Sequence, residues 1–204
     1  MTLSDSAAVA ADPVAALRAA THEIHQQLDS ALPLAAPDAS LADYVQHLQA
    51  VAWWLGALAP AWSAAGAPAD WAPLQGRRLA LAQADLQDAH APALASSPFD
   101  TAAADTLRAD AAAEPLAYAW GLAYVVEGSQ LGGAVLHRRL QARLAPHPLR
   151  YLQGDTAPGV RWKTFMADLR AAVRTPAETQ AAVRGALAGF GALVGRFERM
   201  DVLA

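Results

Sequence analysis

Along the chain, apolar positions recur at the three- and four-residue spacing of helices and nowhere alternate as half-buried strands do. Over residues 14–30, Val14, Leu17, Thr21, Ile24 and Leu28 fall on one face, which predicts an amphipathic first helix. Asp12-Pro13 supplies its start, a capping acid before a proline at the first helical position. Ser40 with Asp43 reads as a capping box opening a second helix through about residue 59. A third helix is expected over residues 74–89, a shorter one over 101–112, and one long helix over 115–144. Residues 160–174 are again helical by period, and Thr175-Pro176-Ala177-Glu178 is a second capping box opening a last helix to about Met200. The Pro-, Ser- and Gly-rich stretches 65–73, 95–98 and 151–159 are loop-sized, and no linker or internal repeat divides the chain. The expectation is an all-α, single-domain helical bundle over residues 13–204, preceded by a flexible segment, 1–12.

Composition agrees with a helical domain and narrows the chemistry. The chain has 204 residues, enough for one ordinary domain with a sizeable core. Alanine, the best helix former, makes up about a quarter of it. With no cysteine, disulfides, thiolate nucleophiles and Cys-type zinc or iron–sulfur sites are excluded. A net charge of -4 without a basic stripe argues against nucleic acid as a partner. The uncharged stretch 48–69 is long enough to suggest a membrane span. Gly56, Pro60, Ser63, Gly66 and Pro68 interrupt it, so a buried helix and turn is expected instead. Residues 1–13 carry Asp5 and Asp12 and no basic start before an apolar run, so a cytoplasmic protein without a signal peptide is expected. Fourteen of the fifteen basic residues are arginine; Lys163 is the single lysine.

Two segments carry candidate chemistry. Projected at about 100° per residue, His25 lies roughly 60° from the centre of the first helix's apolar stripe, at its edge. Arg18 and Asp29 lie on the same flank, Arg18 about 10 Å back along the axis. Asp29, one turn later, could take the spare imidazole N–H, the arrangement that orients a metal-ligating histidine. On the helix alone a histidine at the rim is more often a solvated or core-edge residue than a ligand, and a pairing with His22 as metal ligands would need a side chain that points toward solvent. The second segment, Trp120 to Leu136, keeps helical apolar spacing yet carries Gly121, Gly128, Gly132 and Gly133. Each costs about 1 kcal/mol against alanine in a helix interior. Gly121, Gly128 and Gly132 project within about 40° of one another, a strip without side chains that invites a kink and admits either a flat ligand or another helix backbone.

Together these segments resemble one family. Leu17-Arg18-Ala19-Ala20-Thr21-His22-Glu23-Ile24-His25 is similar to the opening helix of haem oxygenases. Tyr124-Val125-Val126-Glu127-Gly128-Ser129-Gln130-Leu131-Gly132-Gly133 resembles the distal-helix motif of the family's bacterial branch. Their order, their separation of about a hundred residues and the length of the chain also fit.

The resemblance implies that haem is sandwiched between the first helix and a glycine-kinked distal helix. His25 would be the iron ligand and Arg18 would pair with a propionate. Gly128 and Gly132 would lie over the haem and leave room for O2, with Gly133 in the same turn. Lys163, in Trp162-Lys163-Thr164-Phe165, falls where the family places a further propionate-binding lysine, and Tyr124 could hydrogen-bond a propionate. Ser129 stands where the animal enzymes carry an aspartate that organises water, so ordered water held by backbone groups and Ser129 would deliver protons. The implied reaction is oxidative cleavage of haem, both substrate and cofactor, to biliverdin, CO and ferrous iron. Electrons would come from a separate reductase or ferredoxin-like donor, since the chain carries no Gly-x-Gly-x-x-Gly fingerprint of its own. A haem carrier or sensor that does not degrade its ligand is the alternative on the same fold. A different catalyst on this architecture would ordinarily need a cysteine or an acidic pocket.

Overall fold

Each helix start that the sequence marks with a cap is a helix start in the computed structural model, which describes residues 12–92, 98–109, 114–154 and 157–203. Among the described residues there are eight α-helices, one short 3-10 turn and no strand. Helix α1 spans Pro13–Ala31, with Val14 N donating to the Asp12 carboxylate at 3.2 Å. The 3-10 turn Pro33–Ala35 leads to α2, Leu41–Ala64, opened by the Ser40/Asp43 capping box. Helices α3, Trp71–Asp88, and α4, Pro98–Ala109, follow. Then come α5, Pro115–Leu140, the single turn α6, Arg150–Gln153, and α7, Pro158–Ala172. Helix α8, Pro176–Arg199, starts at the Thr175/Glu178 capping box. Of the expected segment 1–12, Asp12 is the cap of α1 and the remainder lies outside the described residues.

The boundaries differ from expectation where long-range packing intervenes. Helix α2 passes through Pro60 instead of stopping at residue 59. Pro60 and Gly56, whose carbonyl it leaves unbonded, both face solvent, while Ala61 and Trp62 beyond it are buried and hold the last turn on the core. Helix α3 begins a turn early because Trp71 is buried edge-on against Trp120, ring centroids 4.7 Å apart. The stretch 151–159, read as a loop, includes most of α6, because Tyr151 and Leu152 are buried and Tyr151 N donates to Asp85 at 2.9 Å. Helix α5 stops at Leu140, not residue 144, and runs as one unbroken helix through all four of its glycines. The expected end of α4 at residue 112 lies outside the described residues.

Helix α8 is the centre of the bundle, packed against α1, α2, α4 and α5. Its approach to α5 is close enough to require glycine. A Cβ on Gly121 would stand 1.8 Å from the Ala182 carbonyl oxygen, and one on Gly185 would stand 2.1 Å from that of Tyr118. One further turn along, Gly189 lies against Leu122 and Val125, and its carbonyl accepts from Trp54 Nε1 of α2 at 2.8 Å. Helix α7 lies antiparallel to α5: Phe165 meets Trp120, whereas Trp162 meets Tyr124 and the Gly128 position. At the far end of α7, Arg170 pairs with Asp12 at the start of α1. Helices α1 and α5 are thus both braced by α8 and α7.

Candidate functional site

The apolar stripe of α1 is the one expected. Val14, Leu17, Thr21 and Leu28 are buried and Ile24 is partly so. Fixing that stripe on the core leaves His25 at its edge, with its side chain 60% exposed and Nδ1 3.0 Å from Asp29 Oδ2. The imidazole stands edge-on to Phe190 of α8, centroids 6.2 Å apart. Nδ1 is the ring nitrogen that faces the carboxylate, and a neutral ring protonated there would keep its lone pair on Nε2. His22 is exposed on the same helix, and no cluster of three or more His, Asp or Glu side chains among the described residues could hold a bare metal ion.

Seven residues before His25, Arg18 is exposed and meets the Tyr124 hydroxyl of α5, as does the Thr21 side chain. Burial pushes the Tyr124 phenol above its ordinary range, partly opposed by those two contacts, so it is a neutral donor at physiological pH. Lys163 is exposed on α7 immediately after Trp162. Neither Arg18 nor Lys163 pairs with a carboxylate among the described residues, whereas Arg170 and Arg196 do.

The glycines of α5 divide by environment. Gly121 serves helix packing, as described above. Gly128 and Gly132 continue the strip that begins at Tyr124. A Cβ on Gly128 would meet only the edge of the Trp162 ring, at 3.7 Å, and one on Gly132 would meet nothing within 4 Å. Gly133 points elsewhere: a Cβ there would contact Leu152 of α6 at 3.8 Å. The Ser129 hydroxyl is likewise engaged on the α6 side. It donates to the Val126 carbonyl at 2.7 Å and lies beside the Tyr151 hydroxyl, to which Gln130 Nε2 also reaches at 3.3 Å. The structure thus links Arg18 to Tyr124 and Tyr124 and the Gly128 position to Trp162, whereas Lys163 is exposed on α7 as the residue after Trp162. His25 stands on the neighbouring helix, while Ser129 and Gly133 turn toward α6.

Three contributors were not singled out by sequence reasoning. Trp162 is half-buried against Tyr124, with centroids 5.3 Å apart, and stacked on Phe165 at 5.8 Å and 17°. Phe190 flanks His25. Glu127, 4% exposed, receives two bidentate forks: Arg78 of α3 at 2.9 and 3.0 Å, and Arg161 of α7 at 2.8 and 2.9 Å. Burial raises the Glu127 pKa, but the two guanidinium groups outweigh it and hold the carboxyl below its usual range. A lone acid in an apolar, glycine-rich helix was the available signal, because a charge there must find a partner. Three cavities, of about 260, 600 and 300 Å³, lie elsewhere: between α2 and α3, around residues 143–148, and behind α5 at Gln130 and Tyr151.

Among the described residues the chain is an all-helical bundle with an exposed histidine on its first helix and bare glycine backbone on a later one. The family model for haem oxygenase matches residues 12–198, and the chain belongs to that family. Over 73 residues it is 38% identical to a haem oxygenase of Xanthomonas campestris pv. campestris (strain 8004), a stretch covering 35% of this chain and 44% of that protein. The match thus spans less than half of that relative. No helix among the described residues is long and apolar enough to cross a membrane.

Proposed function

We propose that the protein binds haem between α1 and α5 and cleaves it oxidatively to biliverdin, CO and ferrous iron, consuming O2. The His25–Asp29 pair carries this reading. An imidazole on an open helix face, with Nδ1 facing a carboxylate 3.0 Å away, has the placement of an iron ligand that offers Nε2. Family membership supports the same conclusion. Haem iron supplies the oxygen chemistry when the substrate is bound, and the chain's residues hold and orient it. A neutral histidine ligand lacks the strong electron push of a thiolate.

The remaining residues fit an anionic, planar substrate. Arg18 and Lys163 offer cations without carboxylate partners among the described residues, suited to the two propionates, and Tyr124 adds a hydroxyl donor. On the opposite face, Gly128 and Gly132 bring backbone in place of side chains, leaving room for O2. Ser129 has spent its donor on the Val126 carbonyl, accepts from Gln130 and turns toward α6, so proton delivery falls to ordered water held by backbone groups and not to the Ser129 hydroxyl. Gly133 shapes the same turn from behind, against α6. Electrons come from a separate ferredoxin-like protein or reductase, and the reading places the enzyme in the cytoplasm.

Aerobic turnover tests it. Hemin-loaded protein given a chemical reductant and air should lose its Soret band while biliverdin absorbance grows and CO is released. A Soret band that persists under those conditions would identify a haem carrier instead.

A further inference from the structure

The rotation of a porphyrin in its slot decides which meso carbon faces the reactive side, and one side chain here is built to set it. We propose that Trp162, held in register by the Arg78–Glu127–Arg161 cluster, fixes the in-plane orientation of the bound macrocycle and thereby the isomer of bilin released. This rests on the haem reading above.

The indole occupies a singular place. The edge of its six-membered ring lies 3.7 to 3.8 Å from where Gly128 would carry a Cβ, so it walls the glycine strip at the level of the first distal glycine. Its other neighbours, Tyr124 and Phe165, are rings at 5.3 and 5.8 Å, which brace it as a rigid surface. The next residue, Lys163, is a cation suited to a propionate. Adjacent positions of α7 therefore carry an apolar ring against the strip and, about 100° round the helix, an exposed positive charge. A haem disc carries two propionates on one side and methyl and vinyl groups around the rest. A quarter turn would bring a propionate against the indole or draw one away from the lysine. The first change places charge where it is poorly solvated, and the second gives up a pairing with the lysine.

The ion cluster explains why Trp162 sits there. Arg161 and Glu127 are the residues immediately before Trp162 and Gly128, and their fork joins α7 to α5 at that level. Arg78 ties the same carboxylate to α3. A buried cluster of this kind adds little net stability, and its best-attested role is to specify register. Slipping α7 by one residue would turn Trp162 by about 100° and carry it off the strip.

The test compares wild type with Trp162→Phe, Trp162→Leu, Trp162→Ala and Arg161→Ala, the last leaving the indole in place. Each is titrated with hemin and followed by its Soret band. Haem-methyl proton resonances of the low-spin cyanide complex then report orientation, and chromatography of the bilin after turnover reports the isomer. Wild type and Trp162→Phe should give one set of resonances and one isomer. Trp162→Leu, Trp162→Ala and Arg161→Ala should each give two sets and mixed isomers, with the Soret band retained. A single, unchanged orientation in both Trp162→Leu and Trp162→Ala overturns the proposal, as does a mixed orientation in wild type. A wild type that takes up no hemin overturns the haem reading itself, and the missing Soret band distinguishes that failure.

Discussion

His25 Nδ1 and Asp29 Oδ2 stand 3.0 Å apart across one turn of α1, on side chains 60% and 70% exposed. An exposed pair of this kind contributes little to stability, so its value lies in orienting the ring. Asp29→Ala should weaken hemin binding about 10- to 100-fold, while leaving unfolding within about 0.5 kcal/mol of wild type. Hemin titration alongside denaturant melts checks both. Unchanged affinity would mean that Asp29 does not orient the ligand.

Gly121 and Gly132 lie on one helix with opposite environments, and alanine should separate them. At Gly132, where a Cβ meets nothing within 4 Å, alanine gains helix propensity, about 0.5–1 kcal/mol, or a melting temperature higher by about 1–4 °C. At Gly121 a Cβ 1.8 Å from the Ala182 carbonyl forces α5 and α8 apart, with a loss of about 1–3 kcal/mol or more. Hemin affinity should move the other way, falling in the more stable Gly132→Ala variant. Thermal melts and titrations of the two proteins decide it, and a Gly132→Ala protein that binds hemin as wild type does would remove Gly132 from the site.

Glu127→Ala leaves the guanidiniums of buried Arg78 and half-exposed Arg161 without their shared carboxylate. Removing one partner of such a cluster costs about 3–5 kcal/mol, measurable by urea unfolding. A loss below about 1 kcal/mol, the range of an exposed ion pair, would show that solvent reaches the cluster.

Acid should destabilise the fold in two windows. His47, stacked on Phe197 with centroids 5.4 Å apart, has its pKa pushed down to about 4 by burial. The unfolded chain takes up that proton near pH 6.5, so between pH 6.5 and 4 the unfolded state binds more protons and stability falls with pH. His47→Phe should remove up to about 3 kcal/mol of that loss. The lowered Glu127 carboxyl acts below this window. Its contribution is present above the unfolded glutamate value of about 4.3 and is lost as pH falls through the folded one. Denaturant melts from pH 7 to 3 test both, and a His47→Phe profile parallel to wild type contradicts the first.

What the sequence made legible was local. The buried stripe of α1, the edge position of His25 and its reach to Asp29 follow from helical periodicity alone. The caps at Asp12, Ser40 and Thr175 follow from the residue types there and the few positions after them. The roles of the α5 glycines were not separable that way, because Gly121 differs from Gly132 only through where α8 passes. Glu127 was visible as a charge needing a partner, but Arg78 and Arg161 lie 49 and 34 residues away, and no periodicity links them. Trp162 was part of a motif, and only the antiparallel course of α7 brings it beside Gly128. Boundaries failed for the same reason: Trp71 and Tyr151 extend or nucleate helices through contacts with distant elements.

Hemin titration of wild type against His25→Ala tests the central claim most directly. Wild type should bind one hemin per chain with the Soret band of a histidine-ligated haem. His25→Ala should lose that band's position and bind far more weakly, with its melting transition intact. A His25→Ala protein whose spectrum and affinity match wild type would contradict the assignment of His25 and, with it, the site between α1 and α5.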